Sequence, residues 1–442
     1  MLLFTALLFS ILTLVGARLA WSISCRSIES KILTLTVVFS FVFWYCLPGD
    51  FFLMGSATDS KDSFLYDSFF NITQAVLLSI ICFFVLLTVP LFLRYKKKQG
   101  PTSVNLRKLN FLIFLIFISA VSHFYITFRE FGSDFIFKII IGLSTSREVM
   151  SFENFSTGYY QSFMAFWDIE NIFIGVSLAA TLAWERKILS LSFVFSVLIV
   201  LISFISSGTR SILLLLLFSI FVSIICRPKQ LSKINIKKHN SIFYKIVICS
   251  LVSGLLFLAV SSITSRFNDV ANNNALVLQN IGENNDMLRE LVFVFANDKY
   301  SDANPIPFIS TPFTFLMPRF LGFDKKAPSH LVNFNMDREG IDVLGDAGNV
   351  FPGIIADMYM CFGIFAVATL PLFTIAYFLI SYSVTVRSRI NPFNYGLFVT
   401  LQSYYFISFR NIQGSLGLLV ISAFILSYYF AGSLNKAKSV NP

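Results

Sequence analysis

Charged and chemically reactive side chains are scarce in this sequence. Only 13% of its 442 residues are charged and 56% are hydrophobic, with six cysteines and three histidines. This composition excludes an ordinary soluble domain. No Cys-x-x-Cys pair, His-Glu-x-x-His motif, Gly-x-Ser-x-Gly motif or phosphate-binding glycine-rich loop stands at a usable place. The sequence therefore predicts no disulfide framework, no metal site and no cofactor.

Long apolar runs fill most of the chain. Windows of about 18 or more apolar residues can cross the hydrocarbon core of a bilayer. Since a backbone in lipid must satisfy its hydrogen bonds within its own segment, the runs predict an all-α polytopic membrane protein with about eleven transmembrane helices. The predicted spans are 1–17, 32–54, 73–93, 109–128, 162–184, 188–207, 211–226, 243–264, 353–384, 393–409 and 414–433. The segment 353–384 exceeds one crossing, which predicts a tilted helix or a half-buried turn at Pro352 and Gly353.

The basic residues predict the orientation. One set of connecting segments carries 21 of the 34 Lys and Arg residues, at 18–31, 94–108, 185–187, 227–245, 387–389 and 436–438. The positive-inside rule places these segments in the cytoplasm, the N-terminus outside and the C-terminus inside. The net charge of +10 is then topological and predicts no nucleic-acid partner.

One long loop is predicted on the outer face, which divides the chain into helices at 1–264, a loop at 265–352, and helices with a short tail at 353–442. Apolar residues at helical spacing in 285–297 predict a helix within this loop that lies on the bilayer surface or covers a cavity.

Arg210 stands in the stretch "SGTRSILLLLL" (207–217), at the predicted outer start of an apolar helix. The free amides at a helix start, near Gly208, Thr209 and Ser211, together with a guanidinium suit a phosphate group. The alternative is an arginine that anchors the helix among lipid headgroups.

Two further arginines are predicted on the same face. Arg319 precedes Lys325 and Lys326 in "FLMPRFLGFDKKAPSH" (315–330), and Arg410 lies in "SFRNIQGS" (408–415). Guanidinium groups that converge from separate segments suit a diphosphate, because each can bond two oxygens. An interfacial loop that meets lipid headgroups is the alternative for the first of these stretches.

Three residues are candidate general bases. Asp346 and Asp357 lie where the long loop is predicted to re-enter the membrane, and His330 lies in the loop itself, where a solvated histidine is the alternative. Asp168 and Glu170 lie within a predicted span, where a carboxylate is costly unless it is paired or faces a wet cavity. A structural pairing of these two with an arginine such as Arg210 is the preferred interpretation over catalysis.

These motifs resemble the O-antigen polymerase (Wzy) family, and within it the enterobacterial common antigen polymerase branch. The resemblance rests on "SGTRSILLLLL", "FISTPFTFLMPRFLGFDKKAPS" (308–329), "GDAGNVFPGIIADMYMCFGIFAV" (345–367) and "SFRNIQGS". It covers the second half of the chain, whereas the first 120 residues match only in hydropathy.

The resemblance implies a multi-spanning glycosyltransferase of the bacterial inner membrane. Such an enzyme transfers a growing glycan from undecaprenyl diphosphate to another undecaprenyl-diphosphate-linked repeat unit at the periplasmic face, and a separate chain-length regulator is an expected partner. Arg210, Arg319 and Arg410 then hold the donor diphosphate. Similar proteins often carry a histidine near the position of Asp346, which leaves the general base open among Asp346, Asp357 and His330.

Two other functions fit the predicted layout less well. An O-antigen ligase normally has a histidine in the stretch that reads "GDAGNVFPG" here. A lipid-linked oligosaccharide flippase usually has two related halves and short loops, and this chain shows no internal repeat.

Overall fold

The structure, a computed structural model, describes residues 2–23, 27–46, 69–92, 106–141, 158–188, 190–207, 211–227, 287–297, 353–386, 391–409 and 416–431. All regular secondary structure in these ranges is helical, which confirms the all-α prediction for them. The helices are α1 (Leu2–Ile23), α2 (Ile28–Phe41), α3 (Phe69–Phe92), α4 (Leu106–Ile141), α5 (Gly158–Trp184), α6 (Leu191–Ser207), α7 (Ser211–Cys226), α8 (Met287–Ala296), α9 (Gly353–Phe362), α10 (Ala366–Val384), α11 (Pro392–Ser408) and α12 (Leu416–Ala431).

Five helical segments among the described residues are long and apolar enough to cross a membrane. They are Ile28–Cys46, Phe70–Pro90, Leu106–Arg129, Phe166–Trp184 and Gly353–Val384. Every predicted span except 243–264, which lies outside the described residues, overlaps a helix. The described residues are therefore those of an all-helical membrane protein, and the number of spans, about eleven, stays a prediction.

Two predicted spans differ from the observed helices. The predicted span 109–128 is part of α4, which continues to Ile141 into a segment predicted as an outer loop. The predicted span 353–384 is divided by a 3₁₀ turn at Gly363–Phe365, where Gly363 has a φ of +57°. A left-handed glycine commonly ends a helix, so the division follows from a residue that the hydropathy pattern does not weigh.

The first compact unit comprises residues 1–96, 271–380 and 404–418. Within it, α3 packs against α1, α2 and α8, and α8 also packs against α9. The rings of Phe41 and Phe83 stack with centroids 4.3 Å apart, and the indole N–H of Trp44 donates to the Phe406 carbonyl at 2.9 Å. These contacts form an aromatic core around the end of α2.

The second compact unit comprises residues 97–270, 381–403 and 419–442. Here α4, α5 and α6 pack against one another, and α7 packs on α5 and α6. A Cβ built on Gly396 would lie 2.1 Å from Thr181 Oγ1, so α11 approaches α5 as closely as a glycine allows. Close approach at small residues is typical of helices that pack within a membrane.

Candidate functional site

Most of the predicted phosphate and base residues lie outside the described residues, so their side-chain geometry stays a prediction. These are Gly208, Thr209, Arg210, Arg319, Lys325, Lys326, His330, Asp346 and Arg410. Ser211 is the first residue of α7, and Asp357 lies within α9. The boundaries of α6 and α7 at Ser207 and Ser211 coincide with the predicted ones.

Asp357 lies one turn inside α9, and its residue is only 6% exposed. The start of α9 is held by two bonds from other elements. The Ile354 N–H donates to the Phe409 carbonyl at 2.9 Å, and the Ile355 N–H donates to the Tyr45 hydroxyl at 3.0 Å. Since a helix cannot satisfy its own first amides, these two bonds fix the position of α9 and of the carboxylate that it carries.

Tyr45 reaches α9 from a π-helical turn, Val42–Cys46, that continues α2. The turn buries Trp44, Tyr45 and Cys46. A π-helical turn widens the helix locally and is frequent at functional sites. In this protein it places a hydroxyl at the start of α9.

Position 353, the first residue of α9, requires glycine for two reasons. Its φ is +79°, which side-chain-bearing residues rarely adopt. A Cβ at this position would lie 2.7 Å from Tyr45 Oη and 2.9 Å from Met287 Sδ. Gly353 thus brings the start of α9 into close contact with α8 and the π-helical turn.

The predicted helix within the long loop forms as α8, and its surroundings are protein. All residues from Met287 to Val294 are buried, including Arg289 and Glu290 at 7% and 4% exposure. Burial on both faces contradicts the interpretation that this helix lies on the bilayer surface. The sequence analysis does not single out Arg289, since nothing in its local sequence distinguishes it from a solvated residue.

A polar recess of about 420 Å³ opens in the first unit, where the start of α3, the end of α8 and α9 meet. It is lined by Phe70, Asn71, Gln74, Val294, Phe295, Ala296, Asn297 and Tyr359. The rings of Phe295 and Tyr359 lie 4.4 Å apart between centroids and are inclined at 43°. The Asn297 side-chain amide donates to the Phe293 carbonyl at 2.9 Å, which fixes its orientation at the end of α8.

The second unit holds a buried polar cluster between α4 and α5. The indole N–H of Trp167 donates to Ser119 Oγ at 2.7 Å, and Ser119 Oγ donates to Asn171 Oδ1 at 2.8 Å. Beside them, His123 Nδ1 lies 4.0 Å from Asp168 Oδ1. This cluster gives Asp168 a histidine neighbour that the sequence analysis did not foresee.

Glu170 lies on α5 near the buried polar cluster but contacts a different helix. Its Oε1 accepts a hydrogen bond from the Ser422 hydroxyl of α12 at 2.5 Å. The predicted pairing of Asp168 or Glu170 with Arg210 involves a residue outside the described ranges, so it stays a prediction.

Within the described ranges, no group of three or more His, Cys, Asp or Glu side chains is arranged to hold a metal ion. The described cysteines, Cys46, Cys82, Cys226 and Cys361, are buried and form no disulfide bond.

Comparisons of the chain with protein families, with characterised proteins and with solved structures give no match.

Proposed function

We propose that this chain is a glycosyltransferase that polymerises lipid-linked oligosaccharide repeat units. It crosses the bacterial inner membrane about eleven times, with the N-terminus in the periplasm and the C-terminus in the cytoplasm. It transfers a growing glycan from undecaprenyl diphosphate to another undecaprenyl-diphosphate-linked repeat unit. The motifs that resemble the O-antigen polymerase family support this assignment, and the apolar helices agree with a substrate that is anchored in lipid.

One structural observation carries the proposal furthest. Helix α6 ends at Ser207 and α7 begins at Ser211, so only three residues join the two helices. Arg210 is the last of the three, immediately before the amides of the α7 start. Helix-start amides and a neighbouring guanidinium together favour a phosphate ligand. Arg410 likewise falls in a short connection, between the end of α11 and the start of α12 at Leu416.

In the proposed reaction, an acceptor sugar hydroxyl attacks the anomeric carbon of the donor glycan. The bond from that carbon to the diphosphate oxygen breaks, and a general base takes the hydroxyl proton. Arg210, Arg319 and Arg410, with Lys325 and Lys326 nearby in sequence, stabilise the charge on the departing undecaprenyl diphosphate.

The general base is one of Asp346, Asp357 and His330. Asp357 is the described member of this set, and its 6% exposure means that an acceptor reaches it only from inside the first unit. Its carboxylate is positioned by the fixed start of α9.

Deletion of the gene tests the proposal directly. Loss of a polymerase leaves lipopolysaccharide core with a single repeat unit on a gel, whereas loss of a ligase or flippase leaves bare core. Persistence of the long ladder after deletion contradicts the proposal. In complemented cells, Arg210→Ala, Arg319→Ala and Arg410→Ala should each abolish the ladder at normal protein level.

The matched control is Arg18→Ala, which changes an exposed arginine on the face predicted to be cytoplasmic. It should leave the ladder intact. Arg→Lys at positions 210, 319 and 410 should restore little of the ladder, because lysine cannot form the paired hydrogen bonds of a guanidinium.

A further inference from the structure

The polar recess of the first unit has a chemistry that the proposed diphosphate site does not use. Among the described residues, its lining includes three carboxamides, from Asn71, Gln74 and Asn297, and no Lys, Arg, His, Asp or Glu side chain. Each carboxamide offers two N–H donors and one acceptor oxygen. Such a lining suits a neutral ligand that is rich in hydroxyl groups.

The helix ends at the recess support the same ligand chemistry. The recess lies at the start of α3, the end of a helix that carries its first backbone N–H groups, and at the end of α8, where the Phe293 and Val294 carbonyls accept from Asn297. The positive end of one helix dipole and the negative end of another therefore border the same space. A phosphate is stabilised near the positive end and destabilised near the negative end. A hydroxyl suits both ends, because it can both donate and accept a hydrogen bond.

The aromatic rings supply a second recognition element. Phe295 and Tyr359 both line the recess and pack against each other, and Phe70, which also lines it, is 69% exposed. The negative face of an aromatic ring attracts the C–H groups on one face of a pyranose. A volume of about 420 Å³ lies within the usual range for small-molecule sites and accommodates about one or two sugar rings.

We propose that this recess is a subsite for a neutral sugar residue of the glycan, separate from the arginines that hold the diphosphate. The assignment deepens the proposed function and rests on it for the identity of the glycan. In the predicted topology, the start of α3, the long loop that contains α8 and the start of α9 all face the periplasm, where the glycan is found.

The test is saturation-transfer NMR on the full-length protein in lipid nanodiscs. The probes are free glucose, galactose, mannose, rhamnose, N-acetylglucosamine and N-acetylgalactosamine, with inorganic diphosphate as a charged probe. At least one sugar should receive saturation from the wild-type protein. Its affinity should fall by about threefold to tenfold in Asn71→Ala and in Gln74→Ala, as expected for loss of one hydrogen bond.

Asn110→Ala is the matched control, because Asn110 is an exposed carboxamide of the second unit that accepts from Ser192 Oγ at 2.9 Å. It should leave sugar binding unchanged. Gln74→Ala replaces a half-buried side chain with the strongest helix former, so folding should be retained. The diphosphate signal should be the same in the wild type and in all three variants.

The subsite is overturned if no sugar receives saturation, or if Asn71→Ala and Gln74→Ala bind the sugar as tightly as the wild type. Failure of the proposed function is a different result. In that case gene deletion leaves the lipopolysaccharide ladder intact, while the recess variants still lower sugar binding.

Discussion

The two compact units place polar side chains among apolar helices in different ways. In the second unit, Ser119, Trp167 and Asn171 bond to one another, and Glu170 accepts from Ser422. In the first unit, Asn71, Gln74 and Asn297 border a cavity, and of these the Asn297 amide also donates to the Phe293 carbonyl. A polar group that is satisfied by its neighbours specifies how helices pack, while one that faces a space is available to a ligand.

The two units also differ in how glycine contributes to their helix packing. In the second unit, Gly396 allows two straight helices to approach. In the first, Gly353 starts a helix in a left-handed conformation against Tyr45 and Met287. The first unit therefore depends on a left-handed glycine at the start of α9, and its candidate carboxylate, Asp357, lies one turn beyond this glycine.

The largest expected effect is that of Gly353→Ala. The added Cβ must move Tyr45 Oη and Met287 Sδ, and the left-handed backbone is strained, so we expect a loss of about 2–4 kcal/mol of stability. The midpoint of thermal unfolding in nanodiscs measures the loss. Activity should fall with it, because the hydrogen bond from Ile355 to Tyr45 no longer holds α9 in place.

Gly363→Ala is the control for this clash. Gly363 has a φ of +57°, but a Cβ there meets no atom within 4 Å. The Gly363→Ala variant should lose about 1–2 kcal/mol of stability, which is the cost of the left-handed backbone alone. Equal losses in the two variants would show that the contacts with Tyr45 and Met287 do not matter.

The sequence predicts helix positions well and the recess not at all. Hydropathy finds the end of α6 and the start of α7, because the polar residues Ser-Gly-Thr-Arg interrupt a strongly apolar run in the sequence. The recess combines residues near positions 71, 297 and 359. Residues so far apart in the sequence share no local sequence pattern. Only the packing of α3, α8 and α9 shows that they lie together.

The buried residues Arg289 and Glu290 show the same limit of prediction from local sequence. The amphipathic pattern of α8 correctly predicts a helix, but it assumes one polar face in water. In the structure α3 and α9 cover that helix. Helical periodicity therefore predicts the secondary structure of α8 and misses its surroundings.

A smaller effect is expected from Ser119→Ala in the buried polar cluster. The substitution removes the acceptor of the Trp167 N–H and the donor to Asn171, which should cost about 1–3 kcal/mol. The thermal midpoint should fall while the lipopolysaccharide ladder persists, since these groups bond to one another and do not line the recess.

Ser192→Ala is the matched control for Ser119→Ala, because its hydroxyl makes an exposed hydrogen bond to Asn110. It should change stability by less than about 0.5 kcal/mol. If Ser119→Ala abolishes the ladder at an unchanged thermal midpoint, the buried polar cluster belongs to the active machinery, and the contrast between the two units fails.

The smallest effect is expected at Arg186, in the turn between α5 and α6. The turn is a Schellman motif, in which the Lys187 N–H donates to the Leu182 carbonyl at 2.8 Å and the Arg186 N–H to the Ala183 carbonyl at 3.1 Å. Arg186 has a φ of +58° at the position that usually holds glycine. Arg186→Gly removes this strain but makes the unfolded chain more flexible, so the net gain should be below about 1 kcal/mol. Arg186→Ala removes the same side chain without relieving the backbone and should give no gain. If the two variants unfold at the same temperature, the left-handed residue carries no strain, and the irregular backbone that matters to this protein is confined to the first unit.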